Sequence, residues 1–333
     1  MTARAITIVG AGVFGVWQAY RLARAGHRVR LVEASGAPFA DAASRYAGAM
    51  LAPWCEGEAA EPVVRDLGVA ALPLWRAAYP GIVWQGTLVV APARDRSELV
   101  RFGRLTENHR ALSAEEIAAL EPDLGRRFAS GLFYADEGHM DPIAALGHLL
   151  DGARAAGAEI AFGQTLDPAE APGDVVIDCR GLAARSVLPR LRGVRGERIV
   201  VRADDVDLAR CVRLLHPRHP LYVVPWPGRR YLIGATVVES EDTSRMSVRS
   251  ALELLGAAYA VHPGFAEAEI VDLGAGVRPA FPDNVPAAIV QGRTIRVNGA
   301  YRHGFLLGPV LAEAVAGWIG RRAEHPLLQV TAD

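Results

Sequence analysis

The stretch ITIVGAGVFGVWQAYRLARAGHRVRLVE, Ile6 to Glu33, decides the fold. ITIV is a short apolar run that suits a buried parallel strand, and Gly10, Gly12 and Gly15 then supply GxGxxG where the strand must turn into a helix. Gly10 permits the tight turn, Gly12 lets backbone approach a pyrophosphate, and Gly15 permits close helix–strand packing. Val13 and Phe14 open the helix, whose unpaired N–H groups and positive dipole end suit phosphate. Val16, Ala19, Tyr20, Leu22 and Ala23 recur at helical spacing, Gly26 ends the helix, and VRLVE is a second strand. Glu33 closes that strand, followed by Ala34; an acid about 20 residues beyond the glycines accepts hydrogen bonds from a ribose diol and repels a 2′-phosphate. The unit is a dinucleotide site. It does not by itself choose between FAD and NAD.

The rest of the 333-residue chain sets bounds on what that site serves. At 51% hydrophobic and 22% charged, the composition is ordinary for a globular protein of two domains or two interleaved ones. A formal net charge of −1 leaves no nucleic-acid footprint and no polybasic membrane anchor, so a small-molecule partner is expected. Cys55, Cys179 and Cys211 are odd in number and in no CxxC arrangement, which argues against a disulfide framework and a zinc site. A reducing cytoplasm is the expected setting, since the chain enters its first strand with no room for a signal peptide. The apolar stretch from Gly304 to Gly320 carries Glu313 and falls short of the ~20 residues of a membrane span. His139, His216, His219 and His262 show no metal-ligand spacing.

Along the chain, AASRYAGAMLAPW from Ala42 to Trp54 is rich in small residues and lacks either periodicity; it is an ordinary loop or backbone lying close to a flat ligand. Pro62 to Tyr79 is an amphipathic helix, TLVVAP from Thr87 a strand, and LSAEEIAALEP a helix with Ser113 as N-cap and Glu116 three residues on. A helix from Asp141 to Gly157 follows, then strands AEIAFGQ and DVVIDCRG, the second resuming a parallel sheet. After Gly196, ERIVVRA, CVRLLH, LYVVPW, RYLIGATVVE and AEIVDLGAGVRP are closely spaced strands interrupted by one helix, a mostly antiparallel texture. TIRVNG and the helix near Gly304 return to the first. The expected fold is therefore an α/β Rossmann-type dinucleotide domain, discontinuous over 1–55, 140–195 and 286–333, with a mostly antiparallel α+β substrate domain over 56–139 and 196–285.

Five ordered blocks carry a resemblance: VGAGVFG with Glu33, AGAMLAP at Ala47 to Pro53, YVVPWPGRRYLIGATV at Tyr222 to Val237, GVRPAFPDNVP at Gly276 to Pro286, and NGAYRHGFLLGP at Asn298 to Pro309. Over nearly its whole length the chain resembles the D-amino acid oxidase family of FAD enzymes, and within it the glycine oxidases of bacterial thiamine biosynthesis. The resemblance implies FAD rather than NAD. It implies that Gly10, Gly12, Val13, Phe14, Gly15, Glu33 and Ala34 hold the ADP half, with Leu166 and Gly181 also at the cofactor. Ser44, Gly48, Ala49 and Met50 would lie along the isoalloxazine, and His303, Gly304, Phe305 and Leu306 would wrap the flavin. Tyr222, Arg278 and Arg302 fall where the family has its substrate-carboxylate residues, Arg302 as the main anchor. A guanidinium suits that task because its planar fork matches a carboxylate and keeps its charge when desolvated. Tyr222, opening an apolar strand, reads equally as a core residue without the family block.

Departures from the family pattern bear on specificity: Val237 stands where Met is frequent, Trp226 where a basic residue is, His303 where Asn is, and AGAM replaces the commoner AAGM, which blurs the register at Gly48 and Ala49. His303 is a candidate general base, although the implied reaction needs none. That reaction is oxidation of the amine of glycine or a similar small amino acid to the imine, with hydride passing to flavin N5 and oxygen as acceptor giving hydrogen peroxide. The imine would hydrolyse to a 2-oxo acid and ammonia or be handed to thiazole synthase. Two alternatives stay open: a D-amino acid or N-methyl amino acid oxidase or dehydrogenase, and a non-catalytic flavin-binding protein. Homo-oligomerisation is left open by the sequence.

Overall fold

The computed structural model describes residues 2–217 and 220–331; His219 lies outside them. Strand Ala5–Val9 lies inside a seven-stranded sheet, parallel to Arg28–Glu33 on one side and to the central strand, Val175–Asp178, on the other. Glu159–Phe162 and Thr294–Asn298 extend it in parallel, and Ala287–Gln291 and Leu328–Val330 complete one edge running the opposite way. Ile6 and Ile8 are buried, as an apolar run covered on both faces requires. Helix Val13–Arg24 packs between helices Pro142–Ala155 and Gly304–Arg321.

The second sheet has eight strands in the order Glu269–Ala280, Arg192–Arg202, Arg230–Gly234, Leu221–Trp226, Cys211–Leu214, Thr87–Val90, Ser130–Tyr134 and Arg110–Ser113. Every pairing is antiparallel except that of Cys211–Leu214 with Thr87–Val90. Helix Val248–Val261 buries Leu254, Ala258 and Val261 in one apolar core with Ile199, Val223 and Ile233 of the sheet. The capping box read at Ser113 and Glu116 is present. The fold class is the one expected, a Rossmann-type domain joined to a mostly antiparallel second domain.

The boundaries shift at two places. Strand Arg192–Arg202 straddles the expected division at 195, yet pairs along its length with Glu269–Ala280 and belongs wholly to the second sheet. Helix Pro62–Ala78 falls in the segment given to the substrate domain, but it packs on Gly304–Arg321 and adds Val64, Trp75 and Ala78 to the core under the parallel sheet. Trp75 explains the pull: its ring meets Trp17 edge-on at 4.8 Å, and its Nε1 donates to the Phe305 carbonyl at 2.7 Å. The small-residue stretch from Ala42 forms only a short turn of helix at Ala43–Tyr46 and a two-residue strand, Met50–Leu51, paired with Gly138–His139. Among the described residues no helix is long and apolar enough to cross a membrane.

The strand-to-helix turn tolerates little. Gly10 has φ +100°, and a Cβ on Gly15 would collide with the Gly10 carbonyl, a backbone atom that cannot yield without moving the turn. Gly15→Ala should therefore lower stability by roughly 1–3 kcal/mol and flavin content with it; a thermal melt and the visible spectrum of the purified protein check both.

Candidate active site

The two sheets meet at a cleft of about 780 Å³, within the range that holds a cofactor and a small substrate. Gly10, Gly12, Val13, Phe14, Glu33, Ala34, Ser44, Gly48, Ala49, Met50, Leu166, Gly181, Tyr222, Arg278, Arg302, His303, Gly304, Phe305 and Leu306 all line it. Gly15 alone of the residues singled out does not; it is packed behind Gly10.

At one end lies the glycine turn. Helix Val13–Arg24 has Gly12 as N-cap with no side-chain cap, and the Ser44 hydroxyl accepts from the Val13 N–H at 3.0 Å, tying the small-residue stretch to the helix start. Glu33 differs from expectation. Its Oε2 accepts from the Ala11 N–H at 2.6 Å and its Oε1 from the Ser35 N–H at 2.9 Å, so it braces the turn from within the protein as well as facing the cleft. A carboxylate has acceptor capacity for both tasks.

At the other end stand the arginines. Arg278 comes from the long strand Glu269–Ala280 and occupies space left by Gly196 on the paired strand. Its one hydrogen bond is Nη1 to the Thr236 carbonyl at 3.3 Å, and among the described residues no carboxylate pairs with it. Burial lowers its pKa, the Tyr222 side chain raises it, and Arg302 lowers it further, which places the three groups together. Tyr222 lies between two glycines: a Cβ on Gly48 would come 3.0 Å from its ring and one on Gly234 2.8 Å. Arg302 sits in the turn before helix Gly304–Arg321, its side chain 27% exposed.

Three groups at this end escaped the sequence reading. Glu56, from the short helix Pro53–Glu56, has Oε1 at 3.5 Å from Arg302 Nη2 and 3.6 Å from Arg213 Nη2, and Oε2 at 3.5 Å from His303 Nδ1. Burial raises its pKa, but Arg302, His303 and Arg213 outweigh that and hold the carboxyl at about 2. His303 is pushed down to about 4 by burial, against the pull of Glu56, and is neutral near pH 7. That makes it a weak base, which removes its attraction as the proton acceptor. Glu137 lies behind, fully buried, with Oε1 accepting from the Cys55 N–H at 2.8 Å and burial pushing it up to about 7.

The blurred register resolves at the backbone. Ala49 has φ +48°, the left-handed region that favours glycine, so Ala49 takes the place that the third residue of AAGM would hold.

A glycine-turn nucleotide sheet and an antiparallel sheet that bring Arg302 and Arg278, respectively, to the same cleft fit a dinucleotide-dependent oxidoreductase. The chain belongs to the family described as FAD dependent oxidoreductase, DAO, whose model matches residues 5–318. It is 50% identical over 312 residues, 93% of this chain and 95% of the relative, to a Rhizobium etli protein provisionally named thiamine biosynthesis oxidoreductase ThiO. It is 25% identical over 365 residues, 97% of this chain and 52% of the relative, to the bifunctional protein ThiO/ThiG of Synechocystis. The crystal structure of glycine oxidase from Geobacillus kaustophilus superposes with a TM-score of 0.80 at 24% identity, covering 97% of this chain and 96% of that one. The protein is an FAD-dependent oxidoreductase. The glycine turn, the uncapped helix start and the cleft volume fit that cofactor.

Ala49→Gly should relieve the left-handed strain and raise stability by about 1 kcal/mol, read as a higher melting temperature at unchanged flavin content. Glu137 gives the pH signature. Its folded value lies above the usual 4.5, so its contribution to stability is full below about pH 4.5 and is lost as pH rises through about 7. Glu137→Gln should flatten the fall in melting temperature between about pH 5 and 8; parallel slopes for variant and wild type would contradict it.

Proposed function

We propose that the protein oxidises the amine of glycine or a similar small amino acid to the imine. What carries this reading is the convergence of Arg278, Arg302 and Tyr222 at one end of a cleft whose other end is the nucleotide turn. Arg278, lacking an acid partner among the described residues, and Arg302 would grip the substrate carboxylate, with the Tyr222 hydroxyl donating to it. Held so, the Cα–H is directed into the cleft between the sheets, a gain from positioning rather than from acid–base chemistry. FAD held at Gly10, Gly12, Val13 and Glu33 would supply the hydride acceptor for this oxidation, and its reoxidation by oxygen would give hydrogen peroxide. The imine then hydrolyses to a 2-oxo acid and ammonia, or passes to thiazole formation. The names of the Rhizobium and Synechocystis relatives support placing the reaction in thiamine biosynthesis with thiazole synthase as receiver.

An anaerobic screen of flavin bleaching over glycine, sarcosine and D- and L-amino acids, followed by air, tests the substrate class and the acceptor. Bleaching by glycine and recovery with peroxide release are expected; bleaching by none of them would leave a flavin-binding protein without this activity. Arg302→Ala, losing one member of a desolvated charge pair worth roughly 3–5 kcal/mol, should lower kcat/KM about 100-fold or more at normal flavin content. Arg302→Lys should rescue little, since the charge survives and the fork does not.

A further inference from the structure

Glu56 lines the cleft at the arginine end, yet no short bond fixes it. Its contacts to Arg302, Arg213 and His303 lie at 3.5, 3.6 and 3.5 Å, whereas Asp178 is held by Arg180 at 2.9 Å. Buried Arg213 Nη1 and His303 Nδ1 have no hydrogen-bond partner among the described residues. The carboxylate is thus ionised, confined among donors, and left with acceptor capacity toward the cleft. The two guanidiniums that face a ligand are consequently unequal. Arg278 is open, while Arg302 is already shared with an acid. One carboxylate next to an amine matches that pattern, the anion on Arg278 and the amine toward the Glu56 side. Among the described residues, the further cations that a second anionic group could meet at this end, Arg302 and Arg213, already contact Glu56, whose own charge repels that group strongly in a site of low permittivity.

We propose that Glu56 is a specificity-determining residue that restricts the cleft to amines bearing a single carboxylate, by taking up part of the Arg302 charge and repelling a second anionic group. Arg213 is its positioning residue: its side chain is 12% exposed, and its Nη2 reaches the same Glu56 oxygen, Oε1, as Arg302 does, so the carboxylate is shared between the two guanidiniums. The inference rests on the carboxylate site proposed above, and its test uses ligands that cannot be oxidised, so the two fail differently.

The flavin-saturated wild type and Glu56→Gln are titrated with acetate and with malonate, following the flavin spectrum and the heat of binding. Wild type should favour acetate. Glu56→Gln should move the malonate-to-acetate affinity ratio about tenfold or more toward malonate, and the ratio of kcat/KM for D-aspartate over glycine should move the same way. Glu56→Asp, which keeps the charge, should keep the wild-type preference, and Glu56→Ala provides a second neutral variant should glutamine disturb the fold. Ratios unchanged in both neutral variants, with acetate still binding, would overturn the role of Glu56. Failure of acetate to bind wild type at all would overturn the carboxylate site itself, and this inference with it.

Discussion

An arginine without an acid sets the terms of the cleft. Arg278 is desolvated enough for burial to lower its pKa, and among the described residues its only hydrogen bond is to a backbone carbonyl. A guanidinium does not give up its proton under such conditions, so the missing negative charge is left for a ligand to bring. Other buried arginines are paired: Arg210 with Glu121 at 2.8 Å and, at the same cleft, Arg198 with Asp272 at 2.7 Å, while Arg195 bonds Glu197. The exception lies in the one cleft that joins the two sheets, which argues for use rather than oversight of packing.

The arginines come from different parts of the chain, a strand of the antiparallel sheet and a turn after the parallel one, and the backbone ties those two segments together. After strand Thr294–Asn298, the Asn298 side chain donates to the Gly181 carbonyl at 2.9 Å and accepts from the Gly299 N–H at 2.8 Å. The Tyr301 N–H then donates to the Pro279 carbonyl at 2.7 Å, one residue beyond Arg278. That bond stitches the Arg302 turn to the Arg278 strand. Helix Gly304–Arg321 starts immediately afterwards, and its Phe305 carbonyl accepts from Trp75, so the turn is clamped from both ends. A ligand gripped by both guanidiniums therefore rests on a strand and on a turn clamped to it, the fixed arrangement that positioning catalysis needs.

What could be read from the chain alone follows from how local each cause is. The glycine turn, its helix and Glu33 span fewer than about 30 residues, and each glycine answers a constraint within that span, so spacing alone locates the nucleotide end. The antiparallel sheet announces itself through strand texture and turn residues. Helix Pro62–Ala78 shows the limit: its amphipathic face is legible, but the partner of that face is not, and Trp75 selects the parallel-sheet side through a contact 230 residues away. The acid at the substrate end was hidden for the same reason. Glu56 meets Arg302 across 246 positions of sequence, from a four-residue helix without a periodic pattern. Its signature is visible only in three dimensions, where one carboxylate sits among Arg302, Arg213 and His303 while Arg278 beside them has none. The family blocks mark residues that face the cofactor or the substrate carboxylate; they are silent on the charge that balances those residues, and it is that balance which decides how many anionic groups a substrate can carry.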